Sequence, residues 1–221
     1  MTPIAVLALG FVLGLRHATD ADHVVAVTAL VARERSPRSA MALGAFWGLG
    51  HTVTILIVGG AIIVFGLVIP PRLGLSLEMS VALMLILLGA LNLAGARERL
   101  RAPGPSTLGL VRGASRSLAV GVVHGLAGSA AVALLVLTTL RDAASAVTYL
   151  AVFGAGTVAG MMLVTAALAV PLRLAAERFA AAERLMARAT GALSIAFGLF
   201  LAYRIGFVDG LLLGDPTWTP E

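Results

Sequence analysis

The chain carries the run RHATDADH at residues 16–23. Imidazole nitrogens and carboxylate oxygens at close spacing are donors for a divalent transition-metal ion. At about 100° per residue on a helix, His17, Asp20 and His23 fall within a sector of about 120°. Asp22 points away on a regular helix. It joins the others where the helix unwinds, or it serves an imidazole as its hydrogen-bond partner. Arg16 precedes Asp20 by one helical turn and can pair with it. The chain has no cysteine, which excludes disulfides, thiolate metal sites and cysteine relays. Nitrogen and oxygen donors without sulfur suit Ni²⁺, Co²⁺, Zn²⁺ or Mn²⁺ better than Cu⁺.

The setting of this run is apolar. Ile4 to Leu15 before it and Val24 to Val31 after it are each too short to cross a bilayer. Residues 3–31 together would make a helix of about 43 Å against about 30 Å of hydrocarbon. The span is therefore expected to be tilted, broken at the motif, or both. A charged residue near the bilayer centre costs about 2.5–3.5 kcal/mol on insertion scales, so a cluster there argues for function over a purely structural polar network.

The other two of the four histidines also fall in apolar segments. His51 sits in FWGLGHTVT and His124 in GVVHGLAGSA, each flanked by glycines that permit close helix approach. Gly156-xxx-Gly160 repeats that pattern beside Thr157. His124 and Thr157 are candidate contributions from the second half of the chain. The competing reading of His51 and His124 is a helix–helix hydrogen bond. Asn92, Thr52, Thr54 and Thr165 read as packing or hydrogen-bonding residues. Arg204 and Asp209 read as interfacial.

The elements that must position these residues are membrane helices. Of 221 residues 59% are hydrophobic and 12% charged, where a soluble domain has roughly 25% charged. Six apolar segments stand out, near 3–31, 40–69, 76–95, 118–140, 145–171 and 190–213, so the fold class is an all-α integral membrane protein of six transmembrane helices. No basic segment precedes the first, which reads as a span and not a signal peptide. Every basic residue is Arg, and twelve of the sixteen lie in alternate loops, around 33–38, 97–116 and 173–188. The positive-inside rule puts those loops in the cytoplasm and both termini outside. Membrane orientation accounts for the net charge of +5 without a nucleic-acid partner.

An offset of 107 residues pairs Gly14 with Gly121, His17 with His124, Leu43 with Leu150 and Phe46 with Phe153. Two copies of three spans face opposite ways, a 3+3 inverted repeat of the kind that places a transport site at the midplane. The expected organisation is one transmembrane domain, 1–221, with a first half 1–95, a Pro/Gly/Arg-rich cytoplasmic linker 96–117 and a second half 118–221.

On these residues the chain resembles a known family. HATDADHVVAV is similar to the signature of the nickel/cobalt transporter superfamily, His-Ala-x-Asp-Ala-Asp-His followed by an aliphatic residue. LGHTVTIL resembles its second motif, Leu-Gly-His-Ser/Thr. VHGLAGSAA looks like the matching segment of its shorter members, the urease-accessory permeases among them. The resemblance implies movement of Ni²⁺ or Co²⁺ across the cell membrane, with His17, Asp20, Asp22 and His23 as signature positions and His51 as the second-motif histidine. The chain departs from the larger members in having six spans instead of about eight and no Asp-Thr-Ala-Thr-Glu segment. Unlike some exporters of the group, it has no histidine-rich loop.

The expected function is a secondary permease for Ni²⁺ and/or Co²⁺ in the plasma membrane, with a midplane site of His17, Asp20, Asp22, His23 and His51 and with uptake preferred. Proton competition for the imidazoles makes such transport pH-dependent. No cofactor is expected, and no P-loop pattern points to ATP. The metal ion and the lipid bilayer are the expected partners; a homo-oligomer and delivery to metalloenzyme maturation factors are further expectations. The alternatives are an exporter of the same superfamily and, in another class, a membrane-embedded metal-dependent hydrolase. Against the last, the chain has no HExxH and no base placed beside a metal triad.

Overall fold

A computed structural model describes residues 3–31, 36–98, 113–128, 142–178 and 182–218. All regular structure among the described residues is helical. In chain order the elements are α1 (Pro3–His17), α2 (Ala21–Val31), α3 (Pro37–Thr54), a π-helical turn (Ile55–Gly59), α4 (Gly60–Phe65) and α5 (Pro71–Glu98). They continue with α6 (residues 113–128), α7 (Ala143–Arg178), α8 (Ala182–Tyr203) and a second π-helical turn (Arg204–Val208).

Four stretches are long and apolar enough to cross a bilayer: Pro37–Phe65, Pro71–Ala94, Ala143–Leu174 and Leu185–Val208. The pair Ile4–His17 and Ala21–Val31, bent by 57°, makes a fifth if it is one span. Most of the expected span 118–140, and all but the ends of the expected linker 96–117, lie outside the described residues. Large apolar side chains face outward along the bundle, among them Val12 at 57% exposure, Ile57 at 66% and Leu83 at 57%. Such a surface is stable in lipid and not in water. The protein is a multi-pass helical membrane protein.

The bend between α1 and α2 falls on the motif. Thr19 N–H donates to the Arg16 carbonyl at 2.8 Å and Asp20 N–H to the His17 carbonyl at 3.1 Å. The Thr19 hydroxyl adds a third bond, to the Arg16 carbonyl at 2.6 Å. These tight turns occupy carbonyls that the ended helix would otherwise leave open. The Asp20 carbonyl accepts from Val24 N–H at 2.9 Å, which starts α2. The kink is thus hydrogen-bonded within itself, a condition for irregular backbone at membrane depth.

Among the described residues, α1 packs closely with α7, α3 with α7, and α5 with α8; α6 packs on α3. The Gly156-xxx-Gly160 stripe on α7 faces α1. A Cβ at Gly156 would meet the Phe11 carbonyl, and one at Gly160 would come within 2.6 Å of Ala18 Cβ. Ala18, Val25, Val81, Leu85, Val120 and Met161 belong to one buried core that packs beneath the motif. Asn92 on α5 donates from Nδ2 to the Ala29 carbonyl on α2 at 2.6 Å, tying the two helices. Thr52, Thr54 and Thr165 donate to the carbonyls of Gly154, Gly50 and Met161.

Outside the spans, Asp142 caps α7. Its carboxylate accepts from Ser145 N–H at 2.9 Å and Ala144 N–H at 3.3 Å. Hydrogen bonds from the Ser145 side chain, Ser145 N–H and Ala144 N–H hold this carboxyl below its usual range.

The expected last span ran to residue 213. The helical backbone instead ends with the π-turn at Val208. Gly210, at φ +82°, turns the chain in the left-handed region. The segment 209–218 then folds back along α5.

Candidate metal site

The bend changes which groups meet. His17 lies at the end of α1 and His23 on the first turn of α2, their ring centroids 4.6 Å apart. His51 comes from α3 and reaches His17 with Nε2 to Nε2 at 3.2 Å. His124 comes from α6, its ring 4.7 Å from that of His23. All four histidines of the chain therefore converge from four helices.

Asp22, which a regular helix would direct away, sits in the first turn of α2. There it lies between two imidazoles: Oδ1 is 2.9 Å from His23 Nδ1 and Oδ2 is 3.2 Å from His124 Nε2. The Asp22 Oδ1 atom also accepts from His23 N–H at 2.9 Å. A carboxylate is further favoured here by the positive end of the helix dipole.

Two overlapping donor groups result. His17, His23 and His51 form one; Asp22, His23 and His124 form the other; within each, one donor atom per residue lies within 4.8 Å of the rest. Imidazole–metal distances of about 2.0–2.1 Å put neighbouring ligand nitrogens about 3.0–3.4 Å apart. The His17–His51 separation of 3.2 Å already meets that. His23 Nε2, His51 Nδ1 and His124 Nδ1 are buried without a hydrogen-bond partner among the described residues. Each such atom costs about 1–3 kcal/mol, a cost a ligated metal would offset for the nitrogens that turn to it.

Asp20 does not join either group. It is half exposed, and its Oδ2 lies 2.7 Å from His17 Nδ1. That contact favours a proton on Nδ1 and leaves Nε2, the atom facing His51, as a lone-pair donor. It also turns Asp20 to His17, with Arg16 exposed. Thr157 is buried at the α1–α7 contact, and its hydroxyl donates to the Phe153 carbonyl of its own helix at 3.0 Å.

Sequence reasoning passed over Trp47. It is fully buried, stacks on His23 at 5.7 Å with 15° between planes, and meets His124 edge-on at 5.4 Å. The signal was available: Trp47 precedes His51 by four residues and so shares its face of α3.

The cluster opens into a cavity of about 500 Å³. His17, Asp22, His23, His51 and His124 line one part of it, and Glu78, Arg204, Asp209, Thr217 and Trp218 line another. Arg204 and Asp209, expected at the interface, thus face this cavity, with Arg204 Nε 3.9 Å from Asp209 Oδ2.

The comparisons with known proteins agree with this chemistry. A family described as high-affinity nickel-transport protein (NicO) matches residues 4–102. The urease accessory protein UreH of Bacillus sp. (strain TB-90) is 36% identical over 217 residues, covering 94% of this chain and 95% of that protein. The hydrogenase nickel incorporation protein HupN of Bradyrhizobium diazoefficiens is 37% identical over 101 residues, covering 41% of this chain and 26% of that protein. No solved structure matches the chain. The chain therefore belongs to the NicO nickel-transport family of the nickel/cobalt transporter superfamily, a family of transporters and not of enzymes.

Proposed function

We propose that the protein is a secondary permease for Ni²⁺, with Co²⁺ as a second substrate, in the plasma membrane, and that the four-histidine cluster with Asp22 is its substrate site. The observation that carries this reading is the pair of donor groups sharing His23. The ion exchanges hydration water for imidazole at His17, His23 and His51. It is handed over through His23 to the group containing Asp22 and His124. Asp22 supplies a carboxylate touching two of the imidazoles. Asp20 orients His17, and Trp47 holds His23 and His124 in place. Thr157 serves the α1–α7 contact. With neutral imidazoles as ligands, protons compete with the metal, so transport falls as pH falls.

A six-span, 3+3 inverted arrangement is part of the same reading. It is supported by reciprocal packing. Gly14 of α1 lies against the Phe153 carbonyl and Thr157 amide of α7; Gly121 of α6 lies against the Trp47 carbonyl and His51 amide of α3. First-half helix packs on second-half helix, and the converse, with the two glycines 107 residues apart and their contact partners offset by 106. Arginine-rich alternate loops favour both termini outside; uptake is the preferred direction, with export by the same site as the alternative. The names of UreH and HupN suggest that the imported nickel serves metalloenzyme maturation.

Isotopic Ni²⁺ and Co²⁺ flux into proteoliposomes of the purified protein tests this, with ion added to either face. Flux in the wild type, lost in His17→Ala and Asp22→Asn at equal protein content, is expected. Unchanged flux in both variants would falsify the site.

A further inference from the structure

We propose that the C-terminal strap, residues 209–218, is a gate over the cavity, latched by Trp218 on Glu78. The inference rests on reading the cavity as the transport route. Four observations outside the histidine cluster carry it.

The strap is built, not trailing. Leu211 and Leu212 N–H donate back to the carbonyls of Ile205 and Gly206 at 3.2 and 3.0 Å, and Thr217 N–H reaches the Asp209 carbonyl at 3.0 Å. Arg72 Nη2, at the start of α5, donates to the Gly214 carbonyl at 3.3 Å. The strap is therefore held at its root and its middle.

Its end is seated in a prepared place. The Trp218 indole lies on Gly74, where an added Cβ would overlap the ring. Its Nε1–H donates to Glu78 Oε1, one turn along α5, at 2.7 Å. Leu75, Ala82 and Ile205 form the buried cluster beside it.

The seat is on the route. Glu78, Trp218 and Thr217 line the same cavity as His17, His51 and His124. Val81 also lines it, yet belongs to the core that contains Ala18 and Val25 beneath the motif. From Gly74 to Val81 along α5 is about 10 Å. The indole thus sits about two turns from the inner part of the cavity.

Finally, the latch is weak enough to move. Trp218 is only half buried, and it is joined to the bundle by the Glu78 hydrogen bond and by packing at the edge of two apolar clusters. Swinging the last residues off Gly74 opens a path without disturbing any transmembrane helix.

The absence of native cysteine makes the test direct. Val81→Cys is labelled with a charged, membrane-impermeant methanethiosulfonate from each face of the membrane in turn, without metal. Added to that background, Trp218→Phe keeps an aromatic ring but loses the N–H, Gly74→Ala fills the seat, and Glu78→Ala removes the acceptor. Each is expected to raise the labelling rate from the strap face by at least about threefold, as a shift toward the open population requires. Glu78→Gln keeps an acceptor oxygen and should label as slowly as the parent. A buried reporter off the cavity, Leu88→Cys, should stay unlabelled throughout. Equal rates in all variants, or a rise at Leu88 as large as at Val81, overturns the gate. Because labelling needs no nickel, failure of the transport reading leaves this result separately readable.

Discussion

The two ends of the cavity are both polar, yet they are made in different ways. At one end, donors from α1, α2, α3 and α6 converge, the histidines are packed among helices, and Trp47 covers two of them. At the other, a single carboxylate on α5 meets the last described residue of the chain. The first end is determined from many sides at once. The second rests on a short strap held by its own hydrogen bonds, with its tryptophan seated on Gly74 and Glu78 of one helix. A bundle can hold a ligand set fixed while leaving the path to it free to open, because the fixed groups lie on transmembrane helices and the movable ones lie beyond the last of them.

If that contrast is right, damage at the imidazole end should be severe and specific. Asp22→Ala removes the carboxylate shared by His23 and His124. Nickel flux in proteoliposomes should fall by about 100-fold, the upper range for a group that orients and charges a metal site. His51→Ala and His124→Ala each disable one donor group and leave the other. Each should lose about 10- to 100-fold in flux, while the double variant should lose no less than Asp22→Ala. Flux surviving in the double variant would erase the distinction between the two ends. Trp47→Leu keeps the volume roughly apolar but removes the ring that stacks on His23. About a tenfold weaker Ni²⁺ binding by titration calorimetry is expected, with the fold retained.

Effects on the supports should be smaller and general. Asn92→Leu leaves the Ala29 carbonyl without its donor inside the bundle. It should cost about 1–3 kcal/mol of stability, read as a lower melting temperature in detergent, with ligand preference unchanged. The smallest effect is expected at Asp142, which does not line the cavity. Its carboxyl is held below the usual range by hydrogen bonds of the folded state. That contribution is present above the unfolded-state value of about 3.9 and is lost as pH falls through the lower folded-state value. Asp142→Ala should therefore melt slightly below the wild type at neutral pH, with the gap closing only at pH below about 4.

How far the sequence could be read follows the same divide. RHATDADH is contiguous, so its chemistry could be read before any folding, and the overlong segment 3–31 already required a bend or a tilt. His51 and His124 were legible because histidine in an apolar segment is costly wherever it stands. The direction of Asp22 was not legible. It depends on the tight turns at Thr19 and Asp20, and a regular helix sends that side chain elsewhere. Asp20 sits at helical spacing with His17 and His23 yet turns its carboxylate to the back of His17, a difference that spacing cannot express. Trp47 could be placed on the face of His51 by its four-residue spacing, but its stacking on His23 and its edge-on contact with His124 depend on α2 and α6. The strap was least legible. Glu78 and Trp218 are 140 positions apart, and the apolar run that reads as helix to residue 213 hides the turn at Gly210.

The central claim is that the converging imidazoles hold the transported ion. X-ray absorption at the nickel edge, on purified protein loaded with one equivalent of Ni²⁺, tests it most directly. A nitrogen and oxygen shell near about 2.0–2.1 Å, with the outer-shell scattering of at least three imidazoles and loss of that scattering in His17→Ala/His23→Ala, is the expected result. A shell of oxygen alone without imidazole scattering, unchanged by that variant, would contradict it.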